Sequence, residues 1–354
     1  MLESFSVRIF TMYPRYSVRF VAFIVLFIVA IIYMSIDRPT SCLTWNDVDT
    51  DRTHNRHRIR KMNGDSNIRS FERIPGHDYG YIHNPRNTCR GDDDQQELVF
   101  LLFLVMSTPQ ETKRREAIRA TYANESNWPI MKEGNIRTVF LIGDVDAHDY
   151  TIQDAINGEM YYYGDIVQST EFVDDPVNQT RKILMGFRWV GVHCRHARYV
   201  IKIDDRSMVN QRALLKHLNR KNPFLHKFIL GDVVTKVRVT RDKRNWDYIP
   251  REIYPNPTLP PYIIGTGYVL SPDLAQAIYQ VSHRIPVFPN TDAYVGLCLQ
   301  KLGIKLTKTV DIYFSKRIGY DYIGREAIDI FDRSIVVPYV PESKMYLTWR
   351  LGQL

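Results

Sequence analysis

Two adjacent carboxylates, Asp204 and Asp205, close a short apolar run, Tyr199-Val-Ile-Lys-Ile203, that is broken only by Lys202. Ligands of open α/β sheets collect beyond the carboxyl ends of strands. Paired hard oxygen ligands there suit Mg²⁺ or Mn²⁺, which would in turn hold phosphate oxygens. A turn or a helix cap is the plain alternative for the same residues. The next residue, Arg206, is a cation where a third carboxylate would complete the set. A second acidic candidate, Asp292, stands just before the apolar run Ala293 to Leu302, where a helix N-cap and a general base at a pocket mouth are both possible. Arg115 and Arg119 lie four apart on one face of an expected helix that follows a strand. That spacing would let both reach a nucleotide phosphate, or simply form a solvated basic face. In Pro260-Pro-Tyr-Ile-Ile-Gly-Thr-Gly267, Gly265 and Gly267 would let backbone approach a ligand closely, or make an ordinary turn before a strand. Lys182, in the helix that precedes the Asp-Asp strand, is either within reach of the site or a surface lysine.

The elements that must position these groups follow from the hydrophobic pattern. Leu98 to Met106 is a continuous apolar run of strand length, suited to burial on both faces. Thr112 to Ala123 reads as a helix, Val139 to Ile142 as a strand ending at Gly143, and Asp149 to Met160 as a second helix. A short strand around residues 165–168, a helix over Val177 to His193 and the strand 199–203 come next. Strands alternating with helices predict an α/β domain with a largely parallel sheet, running from residue 96 or 97 to 354.

Ahead of it, Phe20 to Ile36 is an uncharged apolar run preceded by Arg8, Arg15 and Arg19. The pattern predicts a signal anchor with residues 1–19 as a cytoplasmic tail and everything after residue 37 on the far side of a membrane. Residues 37–95 are polar and aperiodic, a stem. Sequons at Asn124 and Asn178 suit a lumenal location. The four cysteines contain no Cys-x-x-Cys pair, which argues against zinc and leaves room for disulfides. The net charge of +8 is dispersed along the chain, so nucleic acid is not the expected partner. Anionic donors or glycans suit such a surface better.

Taken in order, RREAIRATY (114–122), VFLIG (139–143), YGDIVQSTEFVDDPVNQTRK (163–182), YVIKIDDRSMVN (199–210), PPYIIGTGYVLS (260–271) and TDAYVGLCLQKLGI (291–304) resemble the β-1,3-glycosyltransferase family. That family includes β-1,3-galactosyltransferases and β-1,3-N-acetylglucosaminyltransferases, and NPRNTC (84–89) resembles its cysteine upstream of the first strand. The resemblance implies a GT-A fold, a UDP-sugar donor, inversion at the anomeric carbon and a Golgi type II membrane enzyme acting on a glycan acceptor, alone or as a homo- or hetero-oligomer. It implies Asp292 as general base and Asp204 and Asp205 as the first two ligands of a Mn²⁺ motif. Arg115 and Arg119 are implied in donor binding, with Tyr262, Gly265 and Gly267 in the donor and acceptor pocket and Cys89–Cys194 as a disulfide. This chain departs from the family at Arg206, the third aspartate of the motif, at Thr291, an acidic residue before the base, and at Tyr122, usually Trp. A guanidinium at 206 reverses the local charge. Either Arg206 itself neutralises the diphosphate in a metal-independent transfer, or the protein is a catalytically silent homologue that binds glycans or a partner transferase. UDP-galactose is the expected donor, with UDP-N-acetylglucosamine the alternative.

Overall fold

The computed structural model describes residues 79–90, 97–128, 135–146, 149–218, 226–245, 247–306, 313–315 and 331–351. The expected tail, anchor and stem up to residue 78 lie outside the described residues. Among those described, no helix is long and apolar enough to cross a membrane.

The chain forms β1 (Tyr81–His83), β2 (Val99–Met106), α1 (Thr112–Ala120), β3 (Asn135–Asp144), α2 (Tyr150–Tyr163), β4 (Ile166–Val173), α3 (Gln179–His193), β5 (Tyr199–Asp204), β6 (Met208–Val209) and α4 (Gln211–Leu218). There follow β7 (Ile229–Leu230), β8 (Val233–Val234), β9 (Tyr262–Ile263), β10 (Gly267–Leu270), α5 (Pro272–Ser282), α6 (Thr291–Lys301), β11 (Tyr313–Ser315), β12 (Ser334–Val337) and α7 (Glu342–Leu351). A seven-stranded sheet runs β1-β4-β3-β2-β5-β10-β7. Its centre, β4-β3-β2-β5, is parallel; β1 and β10 run antiparallel to it, and β7 pairs antiparallel to β10. The sheet is therefore mixed at its flanks, where the pattern predicted a largely parallel one.

Burial on both faces explains why β2 carries no polar residue. Leu102, Leu104 and Met106 pack into one core with α3, α5 and α6. Leu101, Phe103 and Val105 pack into the other with α1, α4 and β12. The two-residue period of a strand sends alternate side chains to opposite layers, so both must be apolar. At its amino end α3 abuts α6. Thr180 is fully buried and donates its hydroxyl to the Phe288 carbonyl at 2.8 Å, with Thr291 Oγ1 at 3.1 Å.

The ordered domain begins earlier than the stem boundary at residue 95. β1 pairs with β4 through Tyr81↔Ser169, and Arg188 on α3 donates to the Tyr79 carbonyl at 2.9 Å. Cys89 is bonded to Cys194 at the end of α3, across 105 residues. These contacts rest on backbone groups and one cysteine in a polar segment, which leaves no period to read. Cys298 is a buried free thiol whose pKa burial pushes up to about 12. Replacing Cys89 and Cys194 together with serine should lower the unfolding free energy by about 2–4 kcal/mol in urea titrations. An unchanged midpoint would show the bridge to be energetically idle.

Candidate active site

The parallel strands end at one edge, and the acidic residues gather there. Asp204 closes β5, and Asp205 follows it with its backbone N–H donating to the Met106 carbonyl of β2 at 3.1 Å. Antiparallel pairing of β10 on β5, with Gly267 opposite Ile203, carries the preceding Gly265 and Thr266 to the same edge. Asp204 N–H donates to the Thr266 carbonyl at 3.3 Å. Asp292 arrives in the first turn of α6, and its Oδ2 accepts from Gly265 N–H at 2.8 Å. It is not the helix cap. Asn290 fills that role, its side chain accepting from Ala293 N–H at 3.0 Å. Asp292 is thereby released for chemistry, with the helix dipole favouring its charge.

Glycine is required at 265 because a Cβ there would lie 2.1 Å from Asp292 Oδ1. At Gly296, one turn into α6, a Cβ would lie 2.6 Å from the Tyr262 Cβ and 2.8 Å from the Pro261 carbonyl, so β9 sits directly on the helix. That contact brings half-buried Tyr262 near Asp292; burial first, and then the Asp292 charge, raise the phenol's pKa. Gly267 is buried within β10 with the Val336 side chain against it, so it packs rather than lining an open pocket.

Lys202, which interrupts the apolar strand, is the central cation. It is 4% exposed. Its Nζ donates to Asp204 Oδ1 at 2.5 Å and to the Gly265 carbonyl, so it ties β5 to the segment that holds Asp292. Burial raises the Asp292 pKa, partly offset by Lys202 and by the Gly265 N–H, with Asp204 pushing it further up. No motif pointed to Lys202. The available signal was a charge in mid-strand where every neighbour is apolar.

Asp205 is buried, and its Oδ2 accepts from Ser107 Oγ at 2.9 Å. Burial lifts its pKa to about 6 against the opposing pull of the Ser107 hydroxyl and of Arg114. Lys182 is buried beneath the site, donating to the Ser107 carbonyl and to Asp174 Oδ1, each at 2.6 Å. Burial lowers its pKa, while Asp174, Asp205 and Asp204 oppose that shift. Arg206 is exposed, forms no ion pair with a described residue, and accepts from Val340 N–H at 2.7 Å through its carbonyl.

Arg115 and Arg119, expected at the donor, are engaged in ion pairs with Glu159 and Asp165. Arg115 is fully buried and meets Glu159 through two 2.7 Å hydrogen bonds, while its remaining N–H groups go to Ser107 Oγ, Thr108, Pro109 and Thr112. Arg119 binds Asp165 through two 2.8 Å hydrogen bonds and Glu159 at 2.7 Å, and lies 4.0 Å from the Tyr163 ring centroid. The spacing placed both on one face correctly, but that face turns inward toward α2 and β4. Arg115 still bears on the site indirectly, because the Ser107 hydroxyl that accepts from it donates to Asp205. The Asn178 sequon is engaged by its own surroundings. Asn178 Nδ2 already donates to the Val173 carbonyl and to Asp175, and Thr180 is sealed in the core. Asn124 is half-buried, and its side-chain Oδ1 accepts from the N–H and hydroxyl of Ser126.

A resident divalent cation would need several of these carboxylates as ligands. Among the described residues, no group of three or more His, Cys, Asp or Glu side chains could hold a metal ion. Asp204 already carries the Lys202 ammonium, Asp205 is held by Ser107, and Arg206 takes the third position. Two unit charges about 4 Å apart interact by about 4 kcal/mol at an effective dielectric near 20, and a dication doubles that. A divalent ion on Asp204 would share that carboxylate with the Lys202 ammonium, which repels it. The donor set does not fit a resident Mn²⁺ or Mg²⁺. A surface recess lined by Asn84, Arg86, Asn87 and Gly164 lies at the β1 edge, apart from these groups.

A family profile described as Galactosyltransferase matches residues 113–310, which takes in Lys182, Lys202, Asp204, Asp205, Arg206, Gly265 and Asp292. The chain belongs to the galactosyltransferase family. Beta-1,3-galactosyltransferase 1 of Mus musculus and of Homo sapiens are each 34% identical to this transferase over 294 residues, covering 83% of it and 85% of the relative. Beta-1,3-galactosyltransferase 2 of Homo sapiens is 36% identical over 228 residues, 64% of this chain and 52% of that one. Solved structures are more distant. The galactosyltransferase LgtC in complex with donor and acceptor sugar analogs superposes at a TM-score of 0.36 with 9% identity, covering 71% of this chain and 95% of that one. Likeness at that level adds nothing to the assignment, which rests on the sequence relatives. As a member of this family, the transferase is a hexosyltransferase.

Gly265→Ala should leave the fold intact by circular dichroism yet cut transfer by about 10²-fold, the cost of a ~1 Å displacement of a reacting group. Undiminished turnover would detach Asp292 from that backbone contact. For Asp205, the folded pKa of about 6 lies above the ordinary aspartate value of 3.8, so its contribution to stability is present below about pH 4 and lost as pH rises through 6. Asp205→Asn should therefore stabilise the protein at pH 7 by about 1–3 kcal/mol and flatten the slope of urea stability between pH 4 and 7. An Asn variant less stable than wild type at pH 7 would contradict this.

Proposed function

We propose that this protein transfers galactose from UDP-galactose in β-1,3 linkage to a hydroxyl of a glycan acceptor, with inversion at the anomeric carbon. The observation that carries the reading is the Asp292 carboxylate, clear of capping duty and pinned by Gly265 N–H at 2.8 Å beside the Lys202–Asp204 pair. The names of the relatives, beta-1,3-galactosyltransferases, support the donor and the linkage. In the reaction an acceptor oxygen attacks the sugar's C1 from the face opposite the diphosphate. The new O–C1 bond forms as the bond from C1 to the phosphate oxygen breaks, its electron pair leaving with UDP. The hydroxyl proton passes to Asp292, the single carboxylate base that inversion requires. The domain is of GT-A type, with the nucleotide bound outside the carboxyl ends of β2, β3 and β5, where α/β sheets place ligands. The apolar run 20–36 and the Asn124 sequon support a Golgi type II orientation with the site in the lumen.

The assay is transfer from UDP-galactose to a panel of glycan acceptors, with UDP-N-acetylglucosamine as the competing donor. Asp292→Asn should lower kcat by about 10²–10⁴-fold and leave UDP affinity unchanged. Because burial raises the Asp292 pKa, the acid limb of kcat/KM should fall above the ordinary carboxylate range. No transfer from either donor by the wild-type chain, or full activity in Asp292→Asn, would overturn the proposal.

A further inference from the structure

The leaving diphosphate needs positive charge, and the carboxylates at the strand end do not fit the divalent ion that would usually supply it. Cations are nonetheless concentrated there, on three separate elements. Lys202 of β5 holds Asp204 Oδ1 at 2.5 Å and is itself buried, so its charge is fixed in place. Arg206 follows the two carboxylates on an exposed turn and has no ion-pair partner among the described residues. The turn is fixed by Val340, whose N–H donates to the Arg206 carbonyl at 2.7 Å. The Val340 carbonyl accepts from Arg114 Nη1 at 3.2 Å, so one residue ties the backbone of Arg206 to the guanidinium of Arg114. Arg114 carries a second bond to Glu111 at 3.2 Å and is near enough to Asp205 to act on it electrostatically.

We propose that the donor diphosphate is held and neutralised by Arg206, with Arg114 beside it, and that UDP binding to this protein needs no divalent cation. The inference rests on the UDP-sugar reading above and extends it. Lys202 does for Asp204 what a metal would do, cancelling a carboxylate that would otherwise repel the phosphates. Arg206 then occupies the position of the third metal ligand and meets the phosphate oxygens directly through a planar guanidinium suited to bidentate contact. When the bond from C1 to the phosphate oxygen breaks, the electron pair it leaves on that oxygen is met by these arginines, and the acceptor proton goes to Asp292.

Calorimetric titration of UDP into the purified full-length chain, in chelator and in Mn²⁺, tests this directly. Wild type should bind with the same affinity in both. Arg206→Gln should weaken binding at least tenfold in chelator. Arg206→Asp should lose it by at least as much and regain affinity when Mn²⁺ is added, since the third carboxylate is restored. The exposure of Arg206 keeps these substitutions compatible with folding, which thermal unfolding would verify. In parallel, the paramagnetic resonance signal of free Mn²⁺ should be undiminished by wild-type protein and reduced by Arg206→Asp. Binding of UDP by wild type only in Mn²⁺ would overturn the inference and leave the transferase reading standing. No UDP binding in either condition would overturn both. Arg206→Gln binding as tightly as wild type in chelator would remove Arg206 from the role.

Discussion

A lysine in the middle of a buried strand dictates the arrangement of this site. An ammonium ion removed from water costs several kcal/mol unless it is paired and hydrogen-bonded. Lys202 meets that requirement only because Asp204 lies two residues on along the same strand edge and because the Gly265 carbonyl is brought across by β10. The antiparallel flank of the sheet is thus tied to the charge balance of its parallel centre. Once Gly265 is placed to accept from Lys202, its own N–H faces Asp292, and its lack of a side chain lets the carboxylate approach. One backbone residue therefore registers a cation on one side and a carboxylate on the other.

A second tier of buried charge supports the first. Ser107, just past β2, accepts from Arg115, donates to Asp205 and offers its carbonyl to Lys182. Arg115 is anchored by Glu159 on α2, and Lys182 by Asp174 beyond β4. The strand ends of β2, β4 and β5 and the helices α1, α2 and α3 are thus joined through one hydroxyl-bearing residue. Such fully paired networks hold a single geometry, since any half-broken state leaves a buried charge without its partner.

The gathering of the candidate residues at one sheet edge was legible in the sequence because it depends on local pattern. An apolar run that ends in two carboxylates, and an acidic residue at the head of a helix, survive translation into structure with little change. What failed to read were properties of burial and long-range pairing. Arg115 and Arg119 share a helix face as their spacing requires, but whether that face meets solvent or Glu159 and Asp165 depends on residues some 40 positions away. Lys202 was visible only as an irregularity in a strand, since its partners come from β10 and the strand end together. Asp292 and Asn290 are both capable caps, and only the backbone geometry at the start of α6 decides between them. The polar segment around Tyr81 has no period because three residues of strand are too few to show one.

That three-residue strand has a consequence for the life of the protein outside its chemistry. β4 would be the outermost strand of the parallel core, eight residues long and with Ile166, Val167 and Phe172 among its buried side chains. Left bare, a strand of that kind presents a row of unpaired backbone groups to any other chain that can extend beside it. β1 covers part of that row, and the link from Cys89 to Cys194 keeps the covering segment from drifting away. The bridge therefore acts as a guard against self-association as much as a staple. Without β1 and its bridge, the border of the sheet at β4, rather than the edge that gathers Asp204, Asp205 and Asp292, is where another strand could add.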